Sequence, residues 1–410
     1  MLINLIIFLI FIVSIIYTFK YKFVQLNIFD GIKPTLNNKS SILAFFVSLG
    51  SHIGAGNILG VTAALIVGGP GSLFWMIICT FFTTIFSLME NTIGMKYRVK
   101  IDNEYRGGSP YYILFGLNNL KLSKIFSYVL VLSSTIFFLP IQVKGVEDAI
   151  IYNFDVKKIY ILLCLIVFSF FVIFKGTKRL TTFLKYLVPI MTIIFLITCF
   201  YALFAKYYVI GNVIKIILND ALRIRSGLGG IIAVGLKRSL FSNEAGLGTA
   251  PSINAMSDTD KPLSQGYLQV LTCFIDTIVM CVLLGFIILQ YNVDLNSLDE
   301  TKVAILVFEQ IFNNYGNHIG SFFLFTFSLA TIVSGYYAGE TNMLFNGMLK
   351  GKRKRIYKLI YKILFISGLI IGTFFSNNNI WNLVDIGLIL LGVINIVVII
   401  KLESVFKKML

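Results

Sequence analysis

Two stretches of this sequence carry its polar, glycine-rich chemistry. The first reads Gly50-Ser51-His52-Ile53-Gly54-Ala55-Gly56-Asn57-Ile58-Leu59-Gly60. The second reads Gly235-Leu236-Lys237-Arg238-Ser239-Leu240-Phe241-Ser242-Asn243-Glu244-Ala245-Gly246-Leu247-Gly248. Glycine lets a chain leave a helix, and the N–H and C=O groups freed at the break then need partners. Carbonyls at the end of one half-helix suit a cation, and N–H groups at the start of the next suit an anion. Such a break binds ions and zwitterions and makes no bonds. No HExxH, no GxSxG, no haem-spaced His pair and no paired Asp motif occurs, which argues against an enzyme. The five cysteines form no CxxC, and His52 and His318 are the two histidines, too few for a usual transition-metal centre. No cofactor is expected beyond a coupling ion.

Both stretches lie inside apolar sequence. The chain has 410 residues, 57% hydrophobic and 13% charged, where a soluble domain carries roughly 25% charge. That composition excludes a cytosolic enzyme, a disordered protein and a nucleic-acid binder. A helix needs about 20 apolar residues to cross a bilayer. Eleven candidates run roughly 2–19, 41–67, 72–95, 125–143, 159–175, 186–205, 228–255, 265–290, 319–347, 359–375 and 380–400. The fold class is therefore an all-α integral membrane protein with about 11 transmembrane helices. The first segment lacks a basic n-region and a small-residue cleavage site, and reads as a retained span rather than a signal peptide.

Lysine and arginine set the expected topology. The connections that one face would own carry 25 of the 35 basic residues, and the opposite connections carry 8. The positive-inside rule then puts the N-terminus outside and the C-terminus in the cytoplasm of a plasma (inner) membrane. This accounts for the net charge of +16 without nucleic acid or an acidic partner. The basic cluster 350–355 reads as a plain positive-inside cytoplasmic loop in preference to an anionic-lipid contact. No obligate protein partner is evident.

The interrupted segments are numbers two and seven. With the first span set aside, each opens a half of five, and an odd number makes the halves insert with opposite orientation. Paired interrupted helices at equivalent positions of inverted halves point to a secondary transporter's binding site. The sequence divides accordingly into 1–40, an extra span and basic loop, 41–205, the first repeat, and 206–410, the second. The segment after each break carries a weak echo, Glu90-Asn91-Thr92-Ile93 and Asp276-Thr277-Ile278. Charges at membrane depth cost at least ~2.5–3.5 kcal/mol each. Lys237, Arg238 and Glu244 are therefore expected in an internal ion-pair network. Glycines packing small-to-small would explain one such segment, but not two at symmetric positions with polar side chains.

These residues resemble the alanine/glycine:cation symporter family, sodium:alanine symporter-like amino-acid carriers. The densest matches are Gly54-Ala55-Gly56-Asn57-Ile58, Gly68-Gly69-Pro70-Gly71-Ser72-Leu73-Phe74-Trp75-Met76, Gly107-Gly108-Ser109-Pro110-Tyr111-Tyr112 and the run from Gly235 to Pro251. Lys96-Tyr97-Arg98, Phe274-Ile275-Asp276-Thr277 and Tyr336-Tyr337-Ala338-Gly339-Glu340 fall in the family's order. The resemblance implies the leucine-transporter-like 5+5 inverted repeat with one extra N-terminal span. It implies that Gly50 and Ile53 offer carbonyls to sodium, with Thr331 as a hydroxyl ligand. It further implies that the turn Gly54, Ala55, Gly56 and Asn57 holds the substrate carboxylate and that Gln142 touches substrate. Carbonyls around Phe241 and Ser242, followed by Asn243, would take the ammonium, with Phe241 walling the pocket.

Around Gln142 the family's Gly, Asn and Asn are replaced by Phe138, Leu139 and Lys144, and the sequence departs from the family's pattern at three further places. Ala330 and Gly335 stand where the family usually has a second threonine and a tryptophan. His52 replaces a small neutral residue in the ion-binding turn. His52, Glu244 and Asp276 are thus candidate modulators, and Gly335 a candidate size filter unless Tyr336 or Tyr337 fills its space. The expected function is import of a small neutral amino acid, alanine- or glycine-like or larger, coupled to sodium. The rivals are a proton-coupled carrier of the same fold using His52, a membrane enzyme, and a scaffold without transport.

Overall fold

In lipid a helix pairs its own backbone groups, and the apolar runs fold accordingly. The structure, a computed structural model, describes residues 2–101, 103–222, 230–295, 299–348 and 354–410. Within them eight helices are long and apolar enough to cross a membrane, and a bent pair makes a ninth. In chain order the main helices, spanning and shorter alike, are α1 (Leu2–Lys20), the bent pair α2 (Lys39–His52) and α3 (Gly56–Gly68), and α4 (Ser72–Lys96). Then come α5 (Leu120–Ile151), the shorter α6 (Lys158–Ile173), and α7 (Thr177–Ala205). The second half holds α8 (Ile231–Asn243), α9 (Pro251–Asn254), α10 (Pro262–Gln290), α11 (Glu300–Phe312), α12 (Gly316–Met348), α13 (Lys354–Phe374) and α14 (Asn377–Lys401). The chain is an all-α membrane protein.

Two of the eleven expected segments are not long spanning helices. The 159–175 run is the short helix α6. The 228–255 run stops being helical at Glu244, leaving the 13-residue α8 and the 4-residue α9. Glu244, Gly246 and Gly248 all adopt positive φ, at 49°, 83° and 77°, which a continuous right-handed helix cannot hold. Residues 228 and 229 lie outside the described residues, as do 350–353 of the basic cluster. The polar connections hold more structure than hydropathy predicts. They carry a hairpin, β1 (Val99–Ile101) paired antiparallel to β2 (Glu104–Arg106), the helices Ser109–Leu117 and Ile210–Ala221, and α11.

Helix α7 shows how the chain meets lipid. Leu184, Val188, Met191, Phe195, Cys199 and Ala202 are buried at helical spacing, while Ile190, Ile193, Ile197, Tyr201 and Phe204 are exposed on the opposite stripe. A helix apolar on both faces needs protein on one and hydrocarbon on the other. Around the breaks, α4 packs on α8 and α10, and α12 packs on α2, α5, α7 and α11. At the foot of α2, Asn38 and Ser40 donate to Asp258, and these hydrogen bonds hold its carboxyl below the usual carboxylate range. The five cysteines are unpaired.

Candidate functional site

At the first break, α2 and α3 are bent by 50°. Ile53 still closes a helical bond, N–H to Leu49 O at 2.8 Å. The next two amides do not. Gly54 N–H donates to Asn57 Oδ1 and Ala55 N–H to Gln142 Oε1, both at 2.8 Å. Helical pairing would have sent them to the carbonyls of Gly50 and Ser51. Those carbonyls are thereby released, and Thr331 Oγ1 lies 3.0 Å from Gly50 O and 3.2 Å from Ile53 O. Three oxygens expected around a cation thus converge, although they are 281 and 278 positions apart in sequence from Thr331. Ala330 is fully buried beside Gly50 and adds no oxygen.

The second break uses the same device. Ala245 N–H donates to Asn243 Oδ1 at 3.0 Å and Gly246 N–H to Glu90 Oε1 at 3.2 Å. Their helical partners would have been the carbonyls of Phe241 and Ser242, so these two acceptors are released from the ladder. Gly248 N–H donates to Glu90 Oε2 at 2.9 Å, and Asn395 Nδ2 donates to the same oxygen at 2.6 Å. Ser109 Oγ donates to Gly248 O at 2.7 Å, and Tyr112 joins Ser109 to Asn395.

The helix after each break also reaches the other. Glu90 of α4 holds the second break. Asp276 of α10 accepts from Asn57 Nδ2 of the first break at 2.5 Å, and from Ser242 Oγ and Thr277 Oγ1. Asp276 lies in a nine-residue π-type stretch, Phe274–Val282, inside α10, the kind of local widening that often marks a functional site. The faint sequence echo therefore marks two buried carboxylates, each tying a break to a neighbouring helix.

A small cavity of about 40 Å3 adjoins the first break, with Ser51, Gln142, Thr331, Glu244, Thr249 and Gly335 among its lining residues. Gly54 packs closely on two of its lining residues, and Gly56 on Phe241. A Cβ on Gly54 would meet Gln142 Oε1 at 2.7 Å, and one on Gly56 would meet Phe241 Cε1 at 2.7 Å. Phe241 packs edge-on against Phe138 and Trp381, each at 5.7 Å. A Cβ on Gly335 would meet nothing within 4 Å. Neither neighbouring tyrosine fills that space. Tyr336 packs against Phe174, Tyr361 and Phe365, and Tyr337 lies under the Arg106 guanidinium.

Other expected residues are placed differently. Asn57 and Ser242 direct hydrogen bonds to Asp276, while Asn243 bonds Thr80, Ser239 and the Ala245 amide. His52 Nδ1 donates to Ser48 O at 2.8 Å and Nε2 accepts from Gln269 Nε2 at 3.1 Å. Its ring thus faces α10. The expected ion-pair network of Lys237, Arg238 and Glu244 does not form. Lys237 pairs with Asp385 at 2.6 Å, Arg238 stacks on Trp381 at 3.6 Å, and Glu244 bonds Thr249. Proximity in sequence misled here, because consecutive residues of a helix point about 100° apart. Reading by sequence also missed Asn395 and Trp381, each a lone residue with no local pattern, and gave no role to Thr249 and Ser109, although both lie in the motifs quoted above.

Among the described residues, no cluster of three or more His, Cys, Asp or Glu could hold a metal ion. The donor set at the first break is instead carbonyl and hydroxyl oxygen, and released carbonyls at half-helix ends are the donors that suit sodium. The sodium:alanine symporter family model matches residues 1–410. The amino-acid carrier protein AlsT of Bacillus subtilis is 32% identical, over 96% of this chain and 86% of its own length. The sodium/alanine symporter AgcS of Methanococcus maripaludis is 30% identical, over 84% and 78%. The probable sodium/glutamine symporter GlnT of Bacillus subtilis is 28% identical, over 96% and 84%. The family and these relatives are transporters rather than enzymes. Broken helices, released carbonyls and a full-length match lead to one conclusion: this chain belongs to the sodium:alanine symporter family of cation-coupled amino-acid transporters.

Proposed function

We propose that this protein imports a small neutral amino acid with sodium by alternating access, from an outward N-terminus to a cytoplasmic C-terminus across the plasma (inner) membrane. The fold behind it is a 5+5 inverted repeat, 41–205 and 206–410, after an extra span in 1–40. The observation that carries the reading is the polarity of the first break. Carbonyls of Gly50 and Ile53 meet the Thr331 hydroxyl at one end. Amides of Gly54 and Ala55 meet side-chain oxygens at the other. The first end is built for a cation and the second for a carboxylate. Gly56 and Asn57 complete the carboxylate turn, with the Gln142 amide yielding its place or turning to the substrate. Phe241 walls the pocket. The relatives' names, which specify sodium with alanine or glutamine, support the same class. Both ring nitrogens of His52 are engaged away from the cation turn, so its placement favours sodium over proton coupling.

The test is uptake into reconstituted vesicles from a panel of amino acids, with sodium exchanged for potassium or choline. Uptake that persists without sodium and follows a proton gradient would overturn the coupling. Thr331→Ala is expected to weaken apparent sodium affinity about 10-fold or more, the value of a hydrogen-bonding ligand to a charge, with less effect on substrate affinity at saturating sodium. Unchanged sodium dependence would move the cation elsewhere.

Gly335 sets the expected size range. With open space where the family usually has tryptophan, side chains larger than alanine's are expected to be accepted. One methylene in an apolar pocket is worth only about 1–3 kcal/mol, so preference broadens rather than switches. Competition assays on wild type and Gly335→Trp are expected to show a broad profile narrowing to glycine and alanine. A wild type that already excludes everything beyond alanine would refute the filter.

A further inference from the structure

Glu244 is the one ionisable side chain among the described residues that line the central cavity; no Lys, Arg, His or Asp joins it there. One carboxylate oxygen, Oε2, accepts from Thr249 Oγ1. The other has no hydrogen-bond partner among the described residues. The two nearest cations in sequence are occupied, Lys237 by Asp385 and Arg238 by the Trp381 ring. A buried carboxylate facing a largely apolar cavity without a countercharge either takes up a proton or pairs with a cation from outside the protein. Immediately before Glu244, the carbonyls of Phe241 and Ser242 are released from helical pairing, because the amides of Ala245 and Gly246 bond Asn243 and Glu90 instead. A primary ammonium has three donors. The released carbonyls of Phe241 and Ser242 and the free oxygen of Glu244 give the second break three acceptors within four residues, of which Glu244 lines the cavity.

We propose that Glu244 is the countercharge for the substrate's ammonium, so that the cavity selects primary-amine zwitterions over 2-hydroxy acids and N-acylated amino acids. The proposal rests on the amino-acid reading above and adds to it the residue that recognises the amine.

The test compares alanine, 2-hydroxypropanoate and N-acetylalanine as ligands of the purified full-length carrier in saturating sodium. Wild type is expected to prefer alanine strongly. Glu244→Gln keeps an acceptor for Thr249 but removes the charge, and its preference for alanine over 2-hydroxypropanoate is expected to fall about 10- to 100-fold. Glu244→Asp, which keeps the charge, is expected to retain most of that preference, and Thr249→Val, which leaves the carboxylate unheld, to lose part of it. These two variants carry the test if Glu244→Gln fails to fold. An equal loss for alanine and 2-hydroxypropanoate would show a structural role and overturn the proposal. A change confined to sodium dependence would make Glu244 a cation ligand and overturn it equally. A wild type that binds no amino acid in the panel would instead overturn the transport reading, and this proposal with it.

Discussion

Gly54→Ala is expected to abolish sodium-dependent amino-acid uptake while the carrier still inserts at a near-normal level. The added Cβ would collide with Thr331 Oγ1, stand 2.7 Å from Gln142 Oε1 and 3.0 Å from Thr331 Cβ. One methyl group would therefore displace the hydroxyl beside the cation carbonyls and the carboxamide beside the substrate amides together. A loss of more than about 100-fold in uptake is expected, since misplacement of about 1 Å at a binding constellation can cost that much. Gly60→Ala is the control, because its Cβ would meet only Phe241 Cδ1 at 3.8 Å, an ordinary contact. Gly56→Leu is expected to behave like Gly54→Ala for a different reason. Its side chain runs into the Phe241 ring, so the pocket wall as well as the carboxylate turn is disturbed. Uptake per membrane-inserted carrier decides the matter. Wild-type uptake in Gly54→Ala would show that the first break serves helix packing alone.

Glu90→Ala is expected to be the most destabilising single change at the second break. Glu90 is fully buried and accepts from Gly246 N–H, Gly248 N–H and Asn395 Nδ2. Each buried donor left without a partner costs about 1–3 kcal/mol, so the three together are worth about 3–6 kcal/mol even with relaxation. Glu90→Gln keeps one acceptor oxygen and should lie between. Thermal unfolding of the detergent-solubilised carrier is the measurement. An unfolding midpoint for Glu90→Ala equal to that of wild type would mean that the glycine turn holds itself.

The fold was legible where hydropathy alone decides it. A run of apolar residues in lipid has few alternatives to a helix, so α1, α4 and α14 lie close to where composition puts them, whereas α7 starts at Thr177 rather than 186 because Lys178, Arg179 and Lys185 lower the average. Hydropathy failed where polarity and helix coexist. Charged residues lower the window average over the amphipathic helix α11, so hydropathy reads it as a connection, yet it packs on α12 and α3. The C-terminal part of α5 holds Lys144, Glu147 and Asp148 inside the helix, where the same averaging ends the expected span at 143.

The site divides in the same way. Glycine content and buried polarity located both breaks, since only a purpose tolerates those residues at membrane depth. Pattern alone could not assign partners. Thr331 meeting Gly50, Gln142 meeting Ala55 and Glu90 meeting Gly246 each join residues more than 80 positions apart. Such pairs follow from how helices stack, not from spacing along the chain. Membrane embedding, the two interruptions and the family are thus determined by the sequence itself, because solvent transfer and backbone pairing act on each segment independently. Which oxygen faces which amide, that Lys237 and Arg238 turn away from Glu244, and that no tyrosine fills the space at Gly335 were decided by the tertiary structure, because those outcomes depend on the relative rotation of packed helices.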